Sequence, residues 1–212
     1  MNAIKLLRRA PYSELDYNYL SSLFSKYSRP RQEISRLLKS EMLIRVKKGL
    51  YVRSSELFPA FSKEILANLI YGPSYISLEY ALSFYGAIPE RIEELTCVTC
   101  NRHKIFKTPV GCFSYRYLHL DRYAPGIRSL EIDETRFILI ATAEKALVDK
   151  IWFSRKYLQK DDLENLIFED LRIEKSFLLK MRIPLLRQII HAYQIPLLQN
   201  LIKIVSDMSK KP

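Results

Sequence analysis

The residues of this chain whose types and spacing lend themselves to chemistry fall in three places. The first is a run of long hydrogen-bond donors between residues 31 and 48. Arg31, Gln32, Ser35, Arg36 and Lys39 fall on the helical face opposite Ile34, Leu37 and Leu38. Arg45, Lys47 and Lys48 follow, and Ile44 and Val46 alternate with the first two on a period of two. Guanidinium, ammonium, amide and hydroxyl groups are what base edges and phosphates accept as partners. That chemistry needs no metal and no nucleophile, only presentation on one face.

The second place is Cys97-Val-Thr-Cys100, with His103, Cys112 and His119 downstream. Zinc needs four converging donors, and a C-x-x-C pair supplies two of them when it lies on a turn. Here the pair falls in a stretch that reads as a strand, where positions three apart point to opposite faces. No second C-x-x-C occurs, so buried thiols are expected and no metal or cofactor. The third place is Glu144-Lys145 with Asp149. A metal-dependent nuclease needs converging carboxylates. Glu144 and Asp149 are five apart and do not share a helix face well, so helix capping and solvated charge are expected instead. No G-x-S-x-G elbow, P-loop or G-x-G-x-x-G is present. The chain is expected not to be an enzyme. Phe113, Tyr115 and Tyr117 alternate on one strand face, which suits either a stacking platform for single strands or, preferably, the packed face of a sheet.

The elements that must position the donor run can be read locally. Ser28 is expected to cap a helix and Pro30 to occupy its first turn, where a missing N–H is no loss. After Lys39 the period changes to two, Lys48-Gly49 turns the chain, and Leu50-Tyr51-Val52 returns. Upstream, Asn2 to Arg9 reads as a helix with Ile4 and Leu7 inward, ended by Pro11. A second helix starts at Ser13 or Asp16, with Leu15, Tyr19, Leu20, Leu23 and Phe24 apolar. Helix, helix, turn, helix, basic ribbon is the order of a winged helix-turn-helix.

Charge agrees with that reading. The 212 residues carry a net charge of +11, and residues 1–55 hold 12 Lys/Arg against 4 Asp/Glu. Most of the excess therefore surrounds the expected reader, and a polyanion is the natural partner. A membrane is not expected, because the segment lacks a broad apolar face and no run approaches the length of a span. No secretory leader is visible and three cysteines suggest no disulfide framework, so a cytoplasmic protein is expected.

The boundary is placed at Ser54 to Pro59, giving a DNA-binding domain over 1–55 and a second domain over 56–212, closely coupled. In the second, Ser62 to Tyr71 reads as a helix with Ile65, Leu66, Leu69 and Ile70 inward, stopped by Gly72-Pro73. Ser77 caps another, ended by Gly86. Strands are expected at Leu95 to Thr99, Lys104 to Lys107, Cys112 to Leu118, Ile127 to Ile132 and Thr135 to Ile140. Thr142 caps a helix from Ala143 to Phe153. From Asp161 to Met208 the pattern is helical, punctuated by Pro184 and Pro196, with a frayed tail from Ser209. The fold class is α+β: a winged helix followed by a mixed helix–sheet domain with a helical C-terminal tail.

A series of motifs adds what periodicity cannot. Gly49-Leu50-Tyr51-Val52 closes the ribbon. Tyr75-Ile-Ser-Leu-Glu-Tyr-Ala-Leu is followed by Phe106-Lys107-Thr108-Pro109 with Gly111 and Phe113-Ser114-Tyr115. Ile140-Ala-Thr-Ala-Glu-Lys-Ala-Leu-Val-Asp149 comes last. In this order and spacing, over about residues 13–155, the chain resembles the AbiE-type antitoxins of type IV toxin–antitoxin (abortive infection) systems. It departs from them in having Ala143 where the family usually has Pro, a harmless change at a helix start, and in the Cys97/Cys100 pair. The resemblance implies a bifunctional protein. Its winged helix would repress its own operon at double-stranded promoter DNA, and its second domain would counteract a nucleotidyltransferase-like toxin, with or without direct contact. Lys145 and Asp149 are the antitoxin candidates by motif position. The rival readings are a plain regulator whose second domain senses a ligand or mediates oligomerisation, and a nucleic-acid-processing enzyme. The oligomeric state is left open.

Overall fold

One hairpin serves both hydrophobic cores of this chain. The computed structural model describes residues 3–56, 58–157 and 162–208. Across these the architecture is mixed α+β. The smaller core gathers α1 (Ala3–Arg8), β1 (Glu14–Asp16), α2 (Tyr17–Leu23), α3 (Pro30–Lys39), β2 (Leu43–Lys47) and β3 (Leu50–Arg53). Leu43 and Tyr51 of the β2–β3 hairpin face this core, whereas Val46, Leu50 and Val52 face the larger one.

The three strands form a small antiparallel sheet in the order β1-β3-β2. Leu15 lies in a strand opposite Tyr51, not in the second helix. The extended run ends at Asp16, whose carboxylate accepts the Tyr19 N–H at 2.7 Å and so caps α2. Tyr19 is 36% exposed, while Leu20 and Phe24 are buried. In α1 it is Leu6 and Leu7 that are buried, with Ile4 half-buried. Asn2, the expected start of that helix, lies outside the described residues.

Ser28 does not cap α3. The N-cap is Arg29, without a side-chain bond, and Pro30 begins the helix. Proline leaves one fewer N–H to satisfy, and the Arg29 carbonyl takes those of Gln32 and Glu33 at 3.1 and 3.3 Å. Gly49 turns the hairpin with φ of +86°, a left-handed conformation that suits glycine. The strict alternation expected along β2 is broken by a bulge between Arg45 and Lys47.

The larger unit begins with α4 (Lys63–Ile70), capped by the Ser62 hydroxyl, which accepts the Ile65 N–H at 3.1 Å. Leu69, expected inward, is 50% exposed; Ala67 takes its place in the core. Then follow β4 (Ser74–Ile76), α5 (Leu78–Phe84), β5 (Leu95–Thr99), β6 (Lys104–Thr108), β7 (Gly111–Tyr117), α6 (Leu120–Tyr123), β8 (Ile127–Asp133), β9 (Arg136–Ala141) and α7 (Ala143–Ser154). The six strands form one sheet, β6-β7-β5-β4-β9-β8, in which β5–β7 and β4–β9 are parallel and the other pairs antiparallel. Residues 95–141 fold close to expectation; β4 and α6 were not foreseen. Helix α4 covers one sheet face, where the Tyr115 hydroxyl donates to the Ala67 carbonyl at 2.7 Å. Helix α7 covers the other, against Tyr75 and Ser77 of the β4 segment.

The C-terminal helices are α8 (Asp162–Asn165), α9 (Lys175–Leu178), α10 (Ile183–Tyr193) and α11 (Pro196–Met208). A π-helical turn, Leu166–Asp170, separates the first two. Pro184 and Pro196 both sit at helix starts. Asp161 and the tail 209–212 lie outside the described residues. Among the described residues no helix is long and apolar enough to cross a membrane.

A polar junction also ties the two units. The buried Glu14 carboxylate accepts the Ser62 N–H at 2.6 Å and the Arg136 guanidinium at 2.8 Å. Ser13 donates its hydroxyl to the Pro59 carbonyl. Arg53, 3% exposed, donates to the carbonyls of Leu7 and Ala10 and lies over the Phe58 ring.

Candidate nucleic-acid interface

Helix α3 buries Ile34 and Leu37 and half-buries Leu38. The remaining surface is thereby fixed outward, because a helix with one apolar stripe has only one orientation against a core. Arg31, Gln32, Ser35, Arg36 and Lys39 are all exposed and together line a shallow depression along the helix. Glu33 lies in the first turn and Arg36 and Lys39 in the last, each on the side its charge prefers in the helix field. Arg45 and Lys48 of the hairpin are also exposed.

The side chains on this face are not equivalent. Arg31 donates its Nε–H to the Tyr17 hydroxyl oxygen at 2.9 Å, across from α2. Arg36 is drawn along its own helix to Glu33: Oε1 accepts from Nε at 3.2 Å and from Nη2 at 2.6 Å. Ser35 donates its hydroxyl to the Arg31 carbonyl at 3.0 Å, one turn back. Lys26 and Arg29, exposed in the turn before α3, add positive charge that the sequence reading did not assign. Tyr17 was also missed. The only local signal was a hydroxyl one residue after a helix-capping Asp, which does not reveal its neighbour fourteen residues on.

Lys47 is placed differently from its expected role. The bulge turns it sideways, it is half-buried, and its ammonium donates to the Ile70 carbonyl at the end of α4. Burial, and then the nearby Lys104, push its pKa down. It joins the ribbon to the larger unit in place of standing free at the tip. Among the basic residues of the larger unit, Arg116 lies over Phe153 and Arg122 over Trp152, so both are packed.

Lys145 and Asp149 come together, but inside the protein. Both side chains have 0% exposure, and Nζ lies 3.3 Å from Oδ1. Spacing of four on α7 makes them neighbours on one face. The ammonium also donates to the Arg122 carbonyl at 2.5 Å and to the Tyr193 hydroxyl at 2.6 Å. Asp149 accepts from Tyr75 at 2.9 Å, from Ser77 at 2.7 Å and from Tyr193. Ser77 therefore gives its hydroxyl to Asp149 and makes no side-chain cap to α5. Burial pushes the Lys145 pKa down, and Asp149 opposes this. Neither side chain reaches a surface where a partner could touch it. The cluster joins β4, α7 and α10.

Glu144 turns away from Asp149 and accepts from the Arg182 backbone N–H at 3.0 Å and from its Nε at 3.2 Å. Burial works against its charge, but these donors hold its pKa below the ordinary carboxylate value. Cys97 is buried in β5, and Cys100 and Cys112 are half-buried free thiols. Among the described residues no three His, Cys, Asp or Glu side chains gather as a metal site. Phe113 and Tyr115 are fully buried and only Tyr117 is exposed, so the aromatic row packs the sheet and offers no stacking platform.

The chain matches no known protein-family profile and no curated protein.

Proposed function

We propose that this protein is a DNA-binding autorepressor and antitoxin of the type IV class. The N-terminal unit acts as a winged helix, with α3 in the major groove and the β2–β3 hairpin as the wing. The observation that carries this reading is the outward face of α3. Five hydrogen-bonding side chains, three of them cationic, stand exposed on one helix face beside an antiparallel hairpin with exposed Arg45 and Lys48. The net charge of +8 over residues 1–55 supports it.

The antitoxin half rests on the motif series from Tyr75 to Asp149 and its resemblance to AbiE-type antitoxins. In this reading the protein acts by binding, without catalysis and without a cofactor. Lys145 and Asp149 contribute by fixing the fold of the antitoxin domain and make no direct contact with a nucleotidyltransferase-like toxin. The test is a pair of cellular assays on the full chain. A promoter–reporter fusion carrying the DNA upstream of its gene should be repressed, and repression should be lost in Arg31→Ala. Co-expression with a nucleotidyltransferase-like protein encoded beside it should restore growth. Repression without rescue would leave only a regulator; rescue without repression would remove the DNA half.

A further inference from the structure

Two arginines on α3 have the same chemistry but not the same partner. A guanidinium can grip a guanine side-on, through Nε and one Nη, or end-on, through both Nη groups. In Arg36 the side-on edge is already taken, because Glu33 Oε1 accepts from both Nε and Nη2. Its end-on edge stays open, but the Glu33 carboxylate already pairs the charge and would bring a negative group beside the nucleic acid. In Arg31 only Nε is held, and the holder is the hydroxyl of Tyr17, a neutral group on the neighbouring helix. That bond fixes the plane of the guanidinium and leaves the end-on edge to donate outward. Arg31 lies in the first turn of α3, the part of a recognition helix that approaches base edges most closely.

We propose that Tyr17 is a specificity-determining positioning residue: it holds Arg31 in the end-on orientation that reads one guanine and leaves its charge unpaired, while the charge of Arg36 is paired by Glu33. The proposal rests on the DNA-binding reading above and deepens it. Tyr17 need not touch the base. It acts through Arg31, and its effect should therefore be confined to a single position of the recognised sequence. Asp16 caps α2 by itself, and the ring of Tyr17 remains in Tyr17→Phe.

The test is selection of bound duplexes from a random-sequence DNA library. Full-length wild type, Tyr17→Phe, Arg31→Ala and Arg36→Ala are used, with sequencing of the retained pools. Wild type should enrich a motif containing a guanine whose preference Arg31→Ala abolishes. Tyr17→Phe should weaken that same preference by about fivefold and no other, as expected for loss of one hydrogen bond to a charged group at an exposed site. Its affinity for unselected duplex and its thermal midpoint should stay at the wild-type values. Arg36→Ala should leave that position unchanged. An unchanged profile in Tyr17→Phe would overturn the proposal while leaving the DNA reading intact. So would equal weakening at every position, the mark of a merely structural role. Loss of the guanine preference in Arg36→Ala in place of Arg31→Ala would also overturn it. A wild-type pool with no enriched motif would remove the underlying reading, and this proposal with it.

Discussion

Asp149→Asn should be among the most damaging near-isosteric changes in this protein, and its damage should shrink as pH rises. Three hydroxyls and one ammonium converge on the Asp149 carboxylate, all within the interior. The amide keeps the shape but removes the countercharge of Lys145 and turns one acceptor into a donor. Breaking one member of a buried pair costs about 3–5 kcal/mol. An upper bound follows from proton release, since the stranded ammonium can always neutralise. From an ordinary pKa of 10.5 down to pH 7 that costs about 5 kcal/mol, at about 1.4 kcal/mol per unit. With a urea dependence of about 2–3 kcal/mol per molar, the unfolding midpoint should fall by roughly 1–2 M. The sign of the pH effect is fixed by linkage. A lysine whose folded pKa is depressed below its unfolded value binds fewer protons folded than unfolded in that window, so stability rises with pH up to about 10.5. The deficit of the variant at pH 9 should therefore be up to about 3 kcal/mol smaller than at pH 7. Urea titrations of both proteins at the two pH values provide the assay. A deficit below about 1 kcal/mol, or one that does not change with pH, would refute the reasoning.

Other consequences can be checked with similar means. Burial raises the pKa of Tyr75, Tyr80, Tyr85, Tyr115, Tyr123 and Tyr193 above the ordinary value of 10.0. Their contribution is complete below pH 10 and is lost as pH rises beyond it. Each such group adds at most about 1.4 kcal/mol per pH unit to the slope. The share of tyrosinate absorbance that these six contribute should therefore appear only together with the loss of far-ultraviolet circular dichroism, above pH ~10; tyrosinate absorbance that rises fully while the dichroism holds would contradict this. Gly126→Ala should cost about 3 kcal/mol or more in thermal or urea unfolding. Gly126 has φ of +84°, and an added Cβ would lie 2.7 Å from both Ile189 Cδ1 and Lys145 Cβ. Lys47→Ala should lower stability by about 1–2 kcal/mol and leave the salt dependence of DNA binding unchanged, because its ammonium serves the Ile70 carbonyl. Lys48→Ala should do the reverse, flattening the salt slope by about one unit at unchanged stability.

The parts legible in the sequence were those governed by local pattern. The strands from Leu95 to Ala141 and the Thr142-capped α7 announce themselves by period, turn residues and caps. So does α3, whose apolar stripe fixes its outer face. The misses have distant partners. Glu14–Asp16 is a strand only because β3 lies beside it, and its three residues carry no period of their own. The strand Ser74–Ile76 is likewise completed by β5 and β9. Lys47 looked like a wing-tip cation because alternation put it outward; a bulge and the end of α4 decide otherwise. At Lys145 and Asp149 the charged types pointed to solvent or to a partner. Their spacing of four did signal a pair, but only the sheet, α10 and three tyrosine and serine hydroxyls make its burial tolerable.

The most direct test of DNA recognition by α3 and its hairpin is fluorescence-anisotropy binding of the full-length protein to the duplex immediately upstream of its own gene. A scrambled duplex of equal composition is the control, and salt is varied over roughly 50–200 mM, where counterion release governs affinity. Specific recognition predicts about a thousandfold preference for the native duplex, steeper loss with salt than for Lys48→Ala, and collapse of the preference in Arg31→Ala. Equal affinity for both duplexes, or no binding to either, would contradict it.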